Sequence, residues 1–230
     1  MMLYRGAARR LPGFLRRYVF DFEARIEDAV RNFAAALPAG ARVLDAGAGE
    51  CRHAPFFARQ RYCGVDLAIG DTHWDYGRLD AVADLARLPF RPGTFDAFLS
   101  VVTLEHVTGP ARAVAELGAC LKPGGTALVV VPQDWEVHQA PHDYFRVTRH
   151  GLALLVAQAG LEVVRIEAAG GIFRLLSRRL FNALQFFPGP LFAVAALLLV
   201  PPALVLPWFD RLDRERNFTL GYLCTARKPF

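Results

Sequence analysis

Between residues 40 and 166, short apolar runs alternate with stretches of helical periodicity, and this alternation narrows the fold more than any other feature of the chain. The run at 42–46, Arg-Val-Leu-Asp-Ala, is too short for a helix and stops at glycines, which suits a buried parallel strand. Runs at 62–66, 81–84, 95–101, 126–131 and 161–166 predict five more strands. Helices are expected at 20–37, 50–60, 111–121 and 149–159; Lys122-Pro123-Gly124-Gly125 ends the third and Gly160 the fourth. Each crossover between parallel strands must pack back onto the sheet, so the pattern predicts a doubly wound α/β fold. Ligands of such folds sit at the carboxyl ends of the strands.

The chain has 230 residues, enough for one main domain with a small appendage. We divide it into a basic N-terminal segment and helix (1–39), a ligand-binding core (40–170), an amphipathic and apolar insertion (171–217), and a final strand with the C-terminus (218–230). The final strand is expected at 218–225.

The first run ends in Asp45-Ala46-Gly47-Ala48-Gly49, where glycines let backbone approach a ligand and the following helix would present free amides. A dinucleotide fingerprint wants a third glycine at position 52, which is Arg52, so a dehydrogenase loses ground. Gly64-Val65-Asp66 puts a carboxylate at the end of the second run, where its two acceptor oxygens match the paired hydroxyls of a ribose. In Ala83-Asp84-Leu85 an acid that can accept from an exocyclic amine stands beside an apolar residue that can cover a ring. Each acid also fits a helix cap or a turn, but three in register behind three successive strands point to a nucleoside.

These motifs are followed in order by Phe95-Asp96-Ala97-Phe98-Leu99-Ser100, Leu104-Glu105-His106-Val107 and Leu121-Lys122-Pro123-Gly124-Gly125. Over about residues 40–166, and again near 218–226, the chain resembles the class I S-adenosylmethionine-dependent methyltransferases of the type-11 group, which includes ubiquinone and menaquinone methyltransferases. The resemblance implies a seven-stranded, mostly parallel sheet with an antiparallel last strand beside the fifth, and S-adenosyl-L-methionine as cofactor. It implies that Asp45, Ala46, Gly47 and Gly49 line the methionine end. Asp66 and Leu67 would hold the ribose, Asp84 and Leu85 would meet the adenine, and Ser100 and Thr103 would flank the sulfonium.

A general base is needed only if the acceptor must lose a proton. The candidates are His106 and the cluster 142–148, with His142 and Tyr144 foremost, because histidine titrates near neutrality. Both histidines also read as packing residues. His138 and His142 are spaced as metal ligands on a helix would be, but Pro141 intervenes and no third ligand has a matching spacing, so no metal site is expected. The four cysteines form no CxxC pair and read as reduced core thiols.

Residues 186–209 carry Leu, Val, Ala, Phe and Pro without a charge until Asp210, about the length of one bilayer span. A single span conflicts with a last strand that returns to the same sheet, so a re-entrant or interface-lying hairpin turning at Pro201-Pro202 is expected. Arginines at 174, 178 and 179 give the preceding stretch a basic amphipathic character suited to a membrane surface. The net charge of +5 comes almost wholly from arginine, and the basic residues beside apolar ones favour lipid over nucleic acid. These features predict a cytoplasmic protein, peripheral or monotopic at the inner membrane face, acting on a small-molecule or lipid acceptor. A soluble enzyme that oligomerises through the apolar run, and a noncatalytic cofactor-binding scaffold, remain as alternatives.

Overall fold

The computed structural model describes residues 12–71 and 73–230. The strands are β1 Arg42–Ala46, β2 Arg61–Asp66, β3 Ala81–Val82, β4 Phe95–Val101, β5 Leu121–Pro132, β6 Glu162–Ala168 and β7 Gly221–Arg227. They form one sheet in the order β3-β2-β1-β4-β5-β7-β6. β1 runs parallel to β2 and β4, β2 to β3, and β4 to β5. β7 is antiparallel to β5, from Pro132 opposite Gly221 to Thr126 opposite Arg227. The chain is therefore the doubly wound seven-stranded α/β sheet that the sequence predicts.

The middle strands are apolar throughout because both of their faces are covered: Val43, Leu44, Ala97, Phe98, Leu99 and residues 127–131 are all buried. The helices are α1 Gly13–Val19, α2 Asp21–Ala36, α3 Pro110–Cys120, α4 Arg149–Gln158, α5 Ile172–Ala183 and α6 Pro190–Val205. Pro110 opens α3 where its missing N–H costs nothing, and Thr148 caps α4 by accepting from Gly151 N at 3.1 Å.

Two expectations in this region change. The helix at 50–60 reduces to a single 3₁₀ turn, Ala54–Phe57, because Cys51 adopts the left-handed conformation (φ +56°) and ends any helix before its first turn. β5 begins at Leu121 rather than at 126, and its pairing jumps from Phe95 opposite Leu121 to Ala97 opposite Thr126, so 122–125 bulge out of the ladder.

The chain divides into two compact units, the sheet unit of 26–167 and 221–230, and a second of residues 12–25 with 168–220. In the second unit the first turn of α5 is held by distant acids. Buried Asp210 accepts from Gly171 N and Arg174 N, and Asp213 Oδ2 accepts from Ile172 N at 2.7 Å. Arg174 pairs with Asp21 at 3.0 Å, and Arg178, itself buried, pairs with Glu23 at 2.8 Å. These two arginines are internal tethers, which corrects the outward basic stripe expected of this helix.

The expected turn at Pro201-Pro202 is absent. α6 runs through both prolines and continues as a 3₁₀ segment, Leu206–Leu212. Proline's fixed φ is itself helical, so consecutive prolines forfeit their N–H bonds without reversing the chain. Two further carbonyls find side-chain donors: Ser177 Oγ donates to Ala203 O and Tyr18 Oη to Leu204 O, each at 2.6 Å. Ala195 and Ala203, with Leu199, Val200 and Leu204, pack on Phe181 and Leu184 of the same unit.

Candidate active site

The carboxyl end of β1 is built around a buried acid. Asp45 is 1% exposed and accepts a 2.6 Å hydrogen bond from Tyr62 Oη on β2. Burial, and then the neighbouring Asp45 charge, push the Tyr62 hydroxyl far above its usual range, so it stays a donor. Past Asp45 the chain turns through Gly47 (φ +86°) and Gly49 (φ +52°). A Cβ at Gly47 would lie 2.1 Å from Thr103 Cγ2, and one at Gly49 would lie 3.0 Å from the Trp74 ring. Only glycine allows the loop to thread between these side chains.

The loop's amides are not presented by a helix, as the sequence suggested. Gly47 N and Ala48 N donate to Val65 O, and Gly49 N donates to Asp66 Oδ2 at 2.9 Å. Asp66 Oδ1 accepts from Ala68 N at 2.8 Å, so this carboxylate ties the ends of β1 and β2 together. Each of its oxygens keeps a second lone pair for a ligand hydroxyl. Asp84 is exposed and closes a local turn with Ala86 N, Leu85 beside it is buried, and Leu67 is exposed. Trp74 and Tyr76, which the sequence reading missed, meet as a tilted pair with ring centroids 6.1 Å apart beside Gly49 and Gly70; the aromatic pair in a glycine-flanked loop was the available signal.

At the end of β4 Ser100 is fully buried and its hydroxyl has no hydrogen-bond partner among the described residues. Val102 then adopts φ +52°, a costly conformation for a β-branched residue, and the chain enters a 3₁₀ turn, Leu104–His106. Glu105 is 0% exposed, and neither carboxylate oxygen meets a hydrogen-bond donor among the described residues. Burial pushes its carboxyl up to about 8. His106, lowered by burial, sends Nδ1 to His142 O at 2.5 Å and Nε2 toward His138 Nε2 at 3.1 Å.

The loop that carries His138 is organised by Arg146. Its guanidinium donates to both oxygens of Asp143, at 2.6 and 2.8 Å, and to the carbonyls of Trp135, Glu136 and Phe145. The Arg146 bonds hold Asp143 down at about 2, and its Oδ2 accepts from His138 N at 2.8 Å. Tyr144 N and Phe145 N donate to Glu105 O, fixing the loop to the β4 turn.

The structure thus separates the residues grouped by sequence. His142 turns to Tyr144, 2.9 Å from Nδ1 to the hydroxyl, in a partly exposed pair. His138 joins His106 and not His142, and Glu105 supplies the third metal-type ligand that the spacing did not reveal, with ligand atoms of Glu105, His106 and His138 within 4.8 Å of one another. Proximity across the fold, not spacing along a helix, brings the three together.

Residues 15–166 match a family model described as a methyltransferase domain. The ubiquinone biosynthesis O-methyltransferase of Xanthomonas campestris pv. campestris is 30% identical over 214 residues, covering 84% of this chain and 78% of that protein. A tRNA (carboxymethyluridine(34)-5-O)-methyltransferase of Arabidopsis thaliana is 32% identical over 115 residues, 48% of this chain, which spans only 28% of that relative's length. The fold is also that of the Burkholderia thailandensis 1,6-didemethyltoxoflavin-N1-methyltransferase solved with S-adenosylhomocysteine, at a TM-score of 0.53, 21% identity, and coverage of 94% of this chain and 86% of that one. Because the family match runs across the strands that shape the glycine loop, the chain belongs to the class I S-adenosylmethionine-dependent methyltransferases, with S-adenosylmethionine as its cofactor.

Proposed function

We propose that this chain methylates an amphiphilic acceptor, a lipid, lipid-linked saccharide or quinone-like molecule, while resting on the cytoplasmic face of a membrane through α6. The observation that carries the reading is the outer face of α6. Leu197 is 76% exposed and Leu198 66%, with Leu191, Phe192 and Val194 exposed beside them and Trp208, at 69%, in the segment that follows. The stretch Pro190–Leu212 has a mean hydropathy of 2.2. A contiguous apolar surface of this kind marks an interaction site.

Lying on the bilayer suits the helix better than crossing it. The chain leaves the sheet after β6 and returns in β7, the neighbouring strand, so both ends of the insertion belong on one side. Pro201 and Pro202 also deprive the carbonyls of Leu197 and Leu198 of helical donors, which water satisfies at an interface and hydrocarbon does not. Four free cysteines fit the reducing side of the membrane. The name of the Xanthomonas relative favours a quinone-like acceptor.

When bound, S-adenosylmethionine supplies a methyl group on positively charged sulfur, open to in-line displacement by a nucleophile. The residues that would hold it fit the group. Asp45, Ala46, Gly47 and Gly49 would meet the methionine end, Asp66 and Leu67 the ribose, and Asp84 and Leu85 the adenine. Ser100 and Thr103 would flank the sulfonium, and Ser100 brings a buried hydroxyl still without a partner. The loop 133–147, fastened by Arg146, would orient the acceptor and exclude water, and His106, His142 and Tyr144 would be the residues to take up a proton.

Two experiments test the reading. Purified protein, radiolabelled cofactor and a membrane lipid extract should give label in an organic-soluble product; none across extracts refutes the acceptor class. The protein should float with anionic liposomes, and Leu197→Glu with Leu198→Glu should abolish flotation. If the pair instead converts a dimer to a monomer in light scattering, α6 is an oligomer contact.

A further inference from the structure

We propose that Glu105, His106 and His138 form a binding site for one divalent transition cation of the zinc class. Two imidazole nitrogens and a buried carboxyl group converge here. His106 Nδ1 lies against His142 O and His138 Nδ1 lies 3.1 Å from Glu136 O. A carbonyl only accepts, so each Nδ1 carries the proton and each Nε2 presents a lone pair. The two lone pairs face one another at 3.1 Å, and Glu105 Oε1 is 3.8 Å from each Nε2. Unaided, this arrangement is repulsive.

A cation resolves it. Ligands about 2.1 Å from a metal stand roughly 3.0 Å apart at right angles and roughly 3.4 Å apart at tetrahedral angles; the 3.1 Å between the two Nε2 atoms lies in that range, and Glu105 Oε1, at 3.8 Å, needs to move in by a few tenths of an ångström. A proton shared between the histidines would satisfy two nitrogens and leave the buried Glu105 carboxylate unpartnered. The surroundings are those of a metal site: each imidazole is oriented by a carbonyl behind it, and Asp143, itself clamped by Arg146, fixes the His138 backbone. Two imidazoles and one carboxylate favour zinc, iron(II), cobalt(II) or manganese over magnesium, and three protein ligands leave coordination positions open.

The cluster stands two residues past Thr103, at the same strand end as the glycine cradle. A hydroxyl of the acceptor on an open position loses its proton to solvent more readily, because the cation stabilises the oxygen anion. This role rests on the reading above that the chain methylates an acceptor, and it narrows the acceptor to one with a methylatable hydroxyl. The binding claim itself stands apart from that reading.

The test uses the full chain, stripped with chelator and titrated calorimetrically with zinc. One equivalent should bind per chain. His138→Ala and His106→Ala should each weaken binding at least ~100-fold, and Glu105→Gln at least ~10-fold. X-ray absorption of the zinc-loaded wild-type protein should show two imidazoles and oxygen; this readout requires no variant to fold and no methyl transfer. Absence of stoichiometric binding, binding unchanged by His138→Ala, or sulfur in the coordination shell overturns the site. Zinc binding without labelled lipid product would instead overturn the acceptor class and leave the metal site in place.

Discussion

Gly47→Ala is the sharpest test of the cofactor loop. The added methyl would lie 2.1 Å from Thr103 Cγ2, 2.3 Å from Oγ1 and 2.7 Å from Cβ. Rotating Thr103 about χ1 relieves only one of the first two contacts, because its two heavy branches fill two of the three staggered positions, and Cβ moves only with the backbone. Holding an L residue at φ +86° costs about 1–2 kcal/mol, and overpacking adds about 1–3 kcal/mol. The expected loss is ~2–5 kcal/mol, a large share of the 5–15 kcal/mol typical of a domain, or roughly 4–20 °C in thermal midpoint. Thr103→Ala removes Cγ2 and Oγ1 and keeps Cβ, so in a double-mutant cycle it should return about 1–2 kcal/mol of the loss and no more. Affinity for S-adenosylmethionine, read by calorimetry, should fall at least ~10-fold in Gly47→Ala, because the displaced loop no longer fits the ligand. A Gly47→Ala protein that melts within about 1 °C of wild type and binds the cofactor undiminished would refute the cradle. Zero coupling to Thr103 would refute the contact.

Tyr62→Phe leaves buried Asp45 without its 2.6 Å donor and should cost about 1–3 kcal/mol in urea unfolding. Asp66→Ala frees Gly49 N and Ala68 N together, so cofactor affinity should drop by more than tenfold; undiminished binding would remove Asp66 from the site. Burial raises all four thiols, Cys63 to about 11 and Cys224 to about 12, so they remain protonated at pH 8. Ellman's reagent should then label the native protein slowly and all four cysteines at once in denaturant, whereas a fast thiol in the folded state would contradict this. Arg146→Lys keeps the charge but loses the fork across Asp143 and three carbonyls, so acceptor KM should rise while cofactor affinity holds.

The sheet was legible wherever both faces of a strand are buried. β4 falls at 95–101 as expected, since an uninterrupted apolar run between turn residues has no competing structure. The bulge at 122–125 was hidden because glycine and proline signal a break without saying whether the ladder resumes. Cys51 carries no sign of its left-handed backbone, so a helix was expected where one 3₁₀ turn forms. Arg174 and Arg178 looked like a surface stripe because their partners, Asp21 and Glu23, lie far off in the chain. His106 and His138 stand 32 residues apart, a separation that no motif spacing covers. Burial of Glu105 beside them is a property of the fold alone.

Backbone strain gives independent support to the location of the chemistry. Among the described residues, non-glycine positive φ occurs at Cys51, Ala68, Val102, Gln139 and Arg216. Cys51, Ala68 and Val102 follow the carboxyl ends of β1, β2 and β4, and Gln139 lies in the loop after β5. Each such conformation costs about 1–3 kcal/mol and persists only where neighbouring contacts over-determine it. At Val102 those contacts are the bond from its N–H to Val130 O, the buried Leu104, and the clamp of Tyr144 N on Glu105 O. A relaxed strand end would carry the chain onward from Val101. The strained one turns it, bringing Thr103 against Gly47 and Glu105 beside two histidines, so the costly conformation joins the glycine loop to the Glu105, His106 and His138 cluster.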